Sequence, residues 1–219
     1  MLLKRAIDLL LSAIILLLMS PVMAIAALSI LFESGRPVLF SQVRVGRQFR
    51  KFRILKFRTM AVQNHGPAVT VAGDPRITKV GAVLRKTKLD ELPQFWNVIR
   101  GDMSIVGPRP EVPEYVELFR QRYQQVLTVR PGITDIASIY YRDEEKVLSQ
   151  RSDPLVEYRE RVLPAKLDLA ERYIRERSAW GDLRIIGQTA LVAFLPRPES
   201  NTANPHPPAD SSPGLPRHP

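Results

Sequence analysis

Residues Leu9–Phe32 read LLLSAIILLLMSPVMAIAALSILF, 24 residues without a charge. That length crosses a bilayer as a helix. A signal peptide is a competing reading, but the run is long for one and no secreted-looking sequence follows it. A buried core helix is a poorer fit to so small a domain. Ser20-Pro21 stands at the midpoint. Proline lacks an N–H and crowds the carbonyl four residues back, which predicts a kink or a break. A kink inside a simple spanning helix is the competitor. Charge separates the two. Lys4 and Arg5 precede the run; Arg36, Arg44, Arg47, Arg50, Lys51, Arg53, Lys56 and Arg58 follow it, opposed up to Met60 only by Glu33. Basic flanks stay cytoplasmic, and here both flanks are basic. The pattern predicts a re-entrant helix-break-helix over residues 1–34, hinged at Ser20 and Pro21. A single span would have to place Lys4-Arg5 on the far side.

Downstream, Val38, Phe40, Val43 and Val45, then Phe52, Ile54 and Phe57, interleave with basic residues around Gly46. This predicts a small β-hairpin over 36–60. Residues 61–76 read as a loop. Apolar residues from Ile77 to Ile99 recur at helical spacing, with Pro93 dividing two helices. Glu111–Val126 and Asp153–Arg177 read as amphipathic helices, the second restarted at Pro164, and Leu183–Phe194 as a packing or interfacial helix. Eight of the last 24 residues are proline, so residues 196–219 read as a disordered tail. The fold class expected is α+β and mostly helical: a membrane hairpin (1–34), a compact domain with interfacial helices (35–195), and the tail. No internal repeat is present.

Of 219 residues, 32 are Lys or Arg against 22 Asp or Glu, a net charge of +10. Such an excess suits an anionic partner: nucleic acid, an acidic membrane face or a phosphate-rich substrate. The absence of cysteine excludes disulfides, thiolate metal sites and a cysteine nucleophile. Two of three histidines lie in the tail, so carboxylates must carry acid–base or nucleophilic work.

The carboxylates that stand out are Asp90 and Glu91, after Arg85, Lys86 and Lys88 and before Pro93. On a helix their side chains would diverge by about 100°, one free to face a substrate phosphorus, the other to hold a metal or a proton. A solvated acidic pair is the plainer alternative. In Gly107-Pro108-Arg109-Pro110 two prolines hold an arginine in a stiff, extended frame suited to bidentate phosphate capture, and Arg130-Pro131-Gly132 repeats the device. Either alone also reads as a structural turn. Lys56 and Arg58, two apart on a strand, would face the same side.

Together Lys56–Met60, Asp74–Thr78, Leu89–Gln94, Gly101–Pro110 and Arg130–Thr134 resemble the bacterial sugar transferases, small monotopic phosphoglycosyl transferases. The resemblance runs over about residues 1–195, and Ser20-Pro21 falls at that family's re-entrant hinge. It implies transfer of a sugar-1-phosphate from a UDP-sugar to polyprenyl (undecaprenyl) phosphate, with UMP released and Mg²⁺ required. It implies Asp90 as covalent nucleophile and Glu91 as metal ligand or proton partner, with Asp90 and Glu91 the carboxylates near the metal. Arg109 is the expected phosphate ligand, with Lys56, Arg58 and Arg130 as further candidates. It also implies the cytoplasmic face of a bacterial inner membrane, contact with membrane lipid, and room for a homodimer. Two residues depart from the family pattern: Asp135, where glycine is common, and Phe49, where a glycine is common in the hairpin loop and where a reshaped turn or a membrane contact would follow.

Two other functions compete. A non-enzymatic membrane adaptor explains the charge but not Asp90-Glu91. A glycosyltransferase moving the sugar alone would release UDP. Nucleic acid is not an expected partner, because no recognition helix or stacking platform stands out. No motif encodes the sugar.

Overall fold

The computed structural model describes residues 2–62 and 70–194; the expected tail, 196–219, lies outside the described residues. The described chain is mostly helical, as the sequence predicts, with two small sheets; the sequence marks only the first, the hairpin.

Helix α1 (Leu2–Ser34) is helical without interruption, so Ser20-Pro21 is not the helix boundary expected from the sequence. Pro21 removes the N–H that would bond the Leu17 carbonyl, and the Ser20 hydroxyl donates to that same oxygen at 2.8 Å. The acceptor freed by proline is taken up one residue away, and the ladder continues. Outward-facing Leu10, Leu17, Leu18 and Ile25 are between 62% and 74% exposed.

Both ends of α1 dock on the rest of the protein. At the start, Asp8 is buried and accepts from Ser104 Oγ (2.7 Å) and Ile105 N (3.3 Å). Arg5 donates to Ile99 O at 3.2 Å, and Lys4 pairs with Asp182 at 2.5 Å. At the other end, Ala26 and Ile30 pack with Phe57 and Leu84, and the Glu33 carboxylate accepts from Val80 N at 3.1 Å.

Strands β1 (Leu39–Val45) and β2 (Lys51–Phe57) form the antiparallel hairpin. Its loop explains why glycine suits position 49: Gln48 and Phe49 have φ of 56° and 59°, a left-handed geometry that costs an L side chain roughly 1–2 kcal/mol. Phe49 offsets this by packing against the core, with the Arg120 guanidinium 5.0 Å above its ring. At this position the phenylalanine thus fills a contact with the core.

Thr78 caps α2 (Lys79–Thr87) by accepting from Gly81 N. The helix ends at Lys88, φ 59°, five residues before the Pro93 boundary expected. A single 3-10 turn, Leu89–Glu91, then leads through Pro93 into α3 (Gln94–Arg100), which Gly101 closes at φ 90°. Asp90 and Glu91 therefore sit on a tight turn, not on a helix. Strand β3 (Ser104–Val106) pairs in parallel with β4 (Gly132–Thr134). A Cβ on Gly132 would stand 2.2 Å from Gly107 N, so the Gly-Pro and Pro-Gly segments that frame Arg109 and Arg130 meet backbone to backbone.

The helix expected over Glu111–Val126 divides at Phe119 into α4 (Pro113–Leu118) and α5 (Arg120–Val126). After α6 (Ile136–Tyr140), α7 (Glu144–Ser149) and α8 (Pro154–Glu157), a π turn at Tyr158–Val162 leads past Pro164 into α9 (Leu163–Glu176). The terminal helix α10 spans Ala179–Phe194. One core gathers Tyr115, Tyr123, Leu148, Val162 and Leu167; a second joins Ile54, Val98, Met103, Ile105 and Tyr173 under β2 and β3.

Candidate active site

The 3-10 turn between α2 and α3 separates successive side chains by about 120°, and the two acids meet different surroundings. Glu91 turns toward cations from two other elements. Lys56 of β2 reaches its Oε1 at 3.2 Å, and Arg109 reaches the same oxygen at 2.6 Å and Oε2 at 3.5 Å. Burial alone would raise the Glu91 carboxyl, but Arg109 and then Lys56 outweigh it and hold it well below the usual carboxylate range. Reciprocally, Glu91 raises the Arg109 guanidinium. Burial lowers the Lys56 ammonium despite Glu91.

Asp90 points inward. It is 7% exposed, and its Oδ1 is buried without a hydrogen-bond partner. Burial, then the charge of Glu91, raises its pKa, while Lys56, Lys88 and Arg85 pull it back down. Two adjacent carboxyls are thus driven apart: one is fixed as an anion, the other kept basic with a free oxygen. Opposed environments of this kind divide roles between paired acids.

Arg109 is held from several directions. Its backbone N–H donates to Asp135 Oδ2 at 3.0 Å. Arg44 donates to Pro110 O at 3.3 Å and to the Glu111 carboxylate at 2.8 Å, and the Tyr158 hydroxyl donates to Glu111 Oε2 at 2.7 Å. The loop that carries Arg109 is thus braced by polar contacts from β1, Asp135 and Tyr158 besides its two prolines.

Of the expected site residues, Lys56, Asp90, Glu91 and Arg109 come together. Arg58 does not. It is 5% exposed and donates to Ser34 O (2.9 Å), Gly35 O (2.8 Å) and Arg36 O (3.1 Å), so a cation expected to hold phosphate instead caps the negative end of α1. Lys56 and Arg58 thus meet different partners, Glu91 for one and the carbonyls at the end of α1 for the other. Arg130 donates to Gly101 O at 2.8 Å, beyond the far end of α3 from the acids. Sequence reasoning missed two contributors and the role of a third. Asn97 is fully buried and bridges α3 to β2, accepting from Leu55 N (3.0 Å) and donating to Arg53 O (2.8 Å). Gln94 buries its amide nitrogen without a partner, four residues from Asp90. Asp135 was flagged only as a departure. No spacing rule marks the first two; the third was marked, and only its contacts explain it.

The site therefore joins a carboxylate clasped by two cations to a second, buried carboxylate, on the turn whose Leu89 packs against the apolar helix α1. Only 11% of the most apolar part of α1 is buried in the protein, which distinguishes it from a core helix. The family profile described as bacterial sugar transferase matches residues 1–196, and the chain belongs to that family. It is 44% identical over 200 residues to the UDP-glucose:undecaprenyl-phosphate glucose-1-phosphate transferase of Escherichia coli (strain K12), covering 89% of this chain and 40% of that protein. It is 39% identical over 191 residues to the UDP-N-acetylgalactosamine-undecaprenyl-phosphate N-acetylgalactosaminephosphotransferase of Aeromonas hydrophila, covering 85% of this chain and 42% of the other. A third relative, the UDP-glucose:undecaprenyl-phosphate glucose-1-phosphate transferase of Caulobacter vibrioides (strain ATCC 19089 / CIP 103742 / CB 15), is 39% identical over 85% of this chain and 67% of its own length. The chain thus spans about two fifths of the first two relatives.

Proposed function

We propose that this chain transfers a sugar-1-phosphate from a UDP-sugar to polyprenyl (undecaprenyl) phosphate, an early membrane step in building a bacterial surface polysaccharide. The observation that carries the reading is the division between Asp90, basic with an unpartnered oxygen, and Glu91, fixed as an anion. In the first step an Asp90 carboxylate oxygen attacks the β-phosphorus. The bond to the bridging oxygen breaks, UMP leaves, and an aspartyl phosphosugar remains. In the second step an oxygen of polyprenyl phosphate attacks that phosphorus and Asp90 leaves. The product is the polyprenyl diphosphate sugar, and the carboxylate is regenerated. Arg109 and Lys56 exchange part of their contact with Glu91 for substrate phosphate oxygens in this reading, Arg109 as a two-pronged donor.

The residues present fit a magnesium ion. Asp90 offers a free buried oxygen and Glu91 keeps unused lone pairs. No group of three or more His, Cys, Asp or Glu side chains converges among the described residues, and Mg²⁺ commonly takes one or two carboxylates and completes its shell with water and phosphate. Asp90 and Glu91 would hold it, and it would offset charge developing on the diphosphate. The test is a panel of UDP-sugars with polyprenyl phosphate, scored for nucleotide products. UMP release that stops in excess EDTA is expected; UDP release would indicate transfer of the sugar alone, and activity persisting in EDTA would remove the metal.

For the membrane arrangement we favour re-entry. Lys4, Arg5 and Asp8 at one end of α1 and Ile30 and Glu33 at the other contact one body. A helix crossing the hydrocarbon would put those ends on opposite sides of it; re-entry by an uninterrupted α1 asks the helix to bend at Pro21, not to break there. The basic flanks support a cytoplasmic location for both. A reporter fused ahead of Lys4 is expected to remain cytoplasmic in cells, and its appearance on the far side would establish a true span.

A further inference from the structure

We propose that Asp135 is a positioning residue for Arg109, continuing the β3–β4 ladder by a side chain where the backbone can no longer do so. The inference rests on the reading that Arg109 holds substrate phosphate. The parallel pair runs Ser104 with Gly132 and Val106 with Thr134, and Gly107 N donates onward to Thr134 O at 3.1 Å. Pro108 has no N–H to give. Arg109 N is the next donor, but on the other strand the chain has already turned into α6. Asp135 bridges the gap. It is 4% exposed; Oδ2 accepts from Arg109 N at 3.0 Å and Oδ1 accepts from Ser138 N at 2.7 Å. One carboxylate thus caps α6 and fixes the main chain of the arginine that grips Glu91. Glycine at position 135 could do neither. The main chain of Arg109 is therefore held by a side chain that a glycine at 135 would lack.

The two contacts can be separated. Serine at position 135 keeps an oxygen for Ser138 N but is too short to hold both amides, so Asp135→Ser should preserve the cap and loosen Arg109. With UDP-glucose as donor, and UDP-N-acetylgalactosamine as the second, Asp135→Ser is expected to lower kcat/KM roughly tenfold, within the range that misplacement by about 1 Å brings. Most of the change should appear in KM, with little change in thermal midpoint. In an Arg109→Gln background the same substitution should have no further effect, because Asp135 acts through Arg109. Asp135→Asn, which keeps a single acceptor, should fall between parent and Asp135→Ser, and it serves as the second variant if serine compromises folding. Parent-like kinetics for Asp135→Ser, or an undiminished effect in the Arg109→Gln background, would overturn the proposal. Normal turnover by Arg109→Gln alone would instead defeat the reading of Arg109 on which it rests.

Discussion

Asp90→Asn is expected to reduce UMP release by at least about 10³-fold while leaving the protein as stable as the parent, or more so, at neutral pH. The first effect follows from losing the nucleophile. The second follows from burial. Desolvation, then Glu91, raises the folded-state pKa of Asp90 above its unfolded value. The stability linked to it is therefore full at low pH and is lost as pH rises through the folded value. Asn avoids that loss. Glu91→Gln should be equally inactive but opposite in stability. Its folded pKa is depressed despite burial, because Arg109 and Lys56 dominate. Glu91 thus contributes stability above its unfolded pKa that disappears as pH falls through the folded one. At neutral pH the Gln variant should melt below the parent, since it also leaves two cations facing each other without their anion. Thermal unfolding of both variants in detergent reads the contrast, and shifts of the same sign would refute the division of roles.

Arg109→Ala should lower kcat/KM by about 10²–10³-fold, the usual consequence of removing one preorganised donor to a reacting oxyanion. Arg109→Lys should recover only part of it, because an ammonium cannot reproduce the fork that meets both Glu91 oxygens. Measuring kcat and KM separately for the two variants checks this. Full recovery by lysine would mean that charge, not geometry, is what the position supplies.

Much of this arrangement is legible in the chain. Local patterns marked the long apolar helix, the hairpin around Gly46 and the terminal helix, because each depends on hydrophobic spacing and turn residues close in sequence. Asp90 and Glu91 were conspicuous among cations, and Arg109 was conspicuous between prolines. What could not be read depends on contacts between distant segments. Arg58 and Lys56 look equivalent in sequence, yet β2 ends between them, and one meets helix carbonyls while the other meets Glu91. Pro21 looked like a boundary because the rescue of its carbonyl by Ser20 is a matter of side-chain orientation. Lys88 ends α2 in a left-handed geometry that its residue type does not announce. Asp135 differed visibly from the pattern, but its partner lies 26 residues upstream.

The most direct test of the central claim is a single-turnover reaction with UDP-sugar labelled at the β-phosphorus, in the absence of polyprenyl phosphate. The account predicts labelled phosphosugar bound to the chain at the peptide containing Asp90, UMP released in step with it, discharge of the label on adding polyprenyl phosphate, and no labelling of Asp90→Asn. Labelling that survives Asp90→Asn, or turnover to lipid product with no protein-bound label at any time, would contradict it.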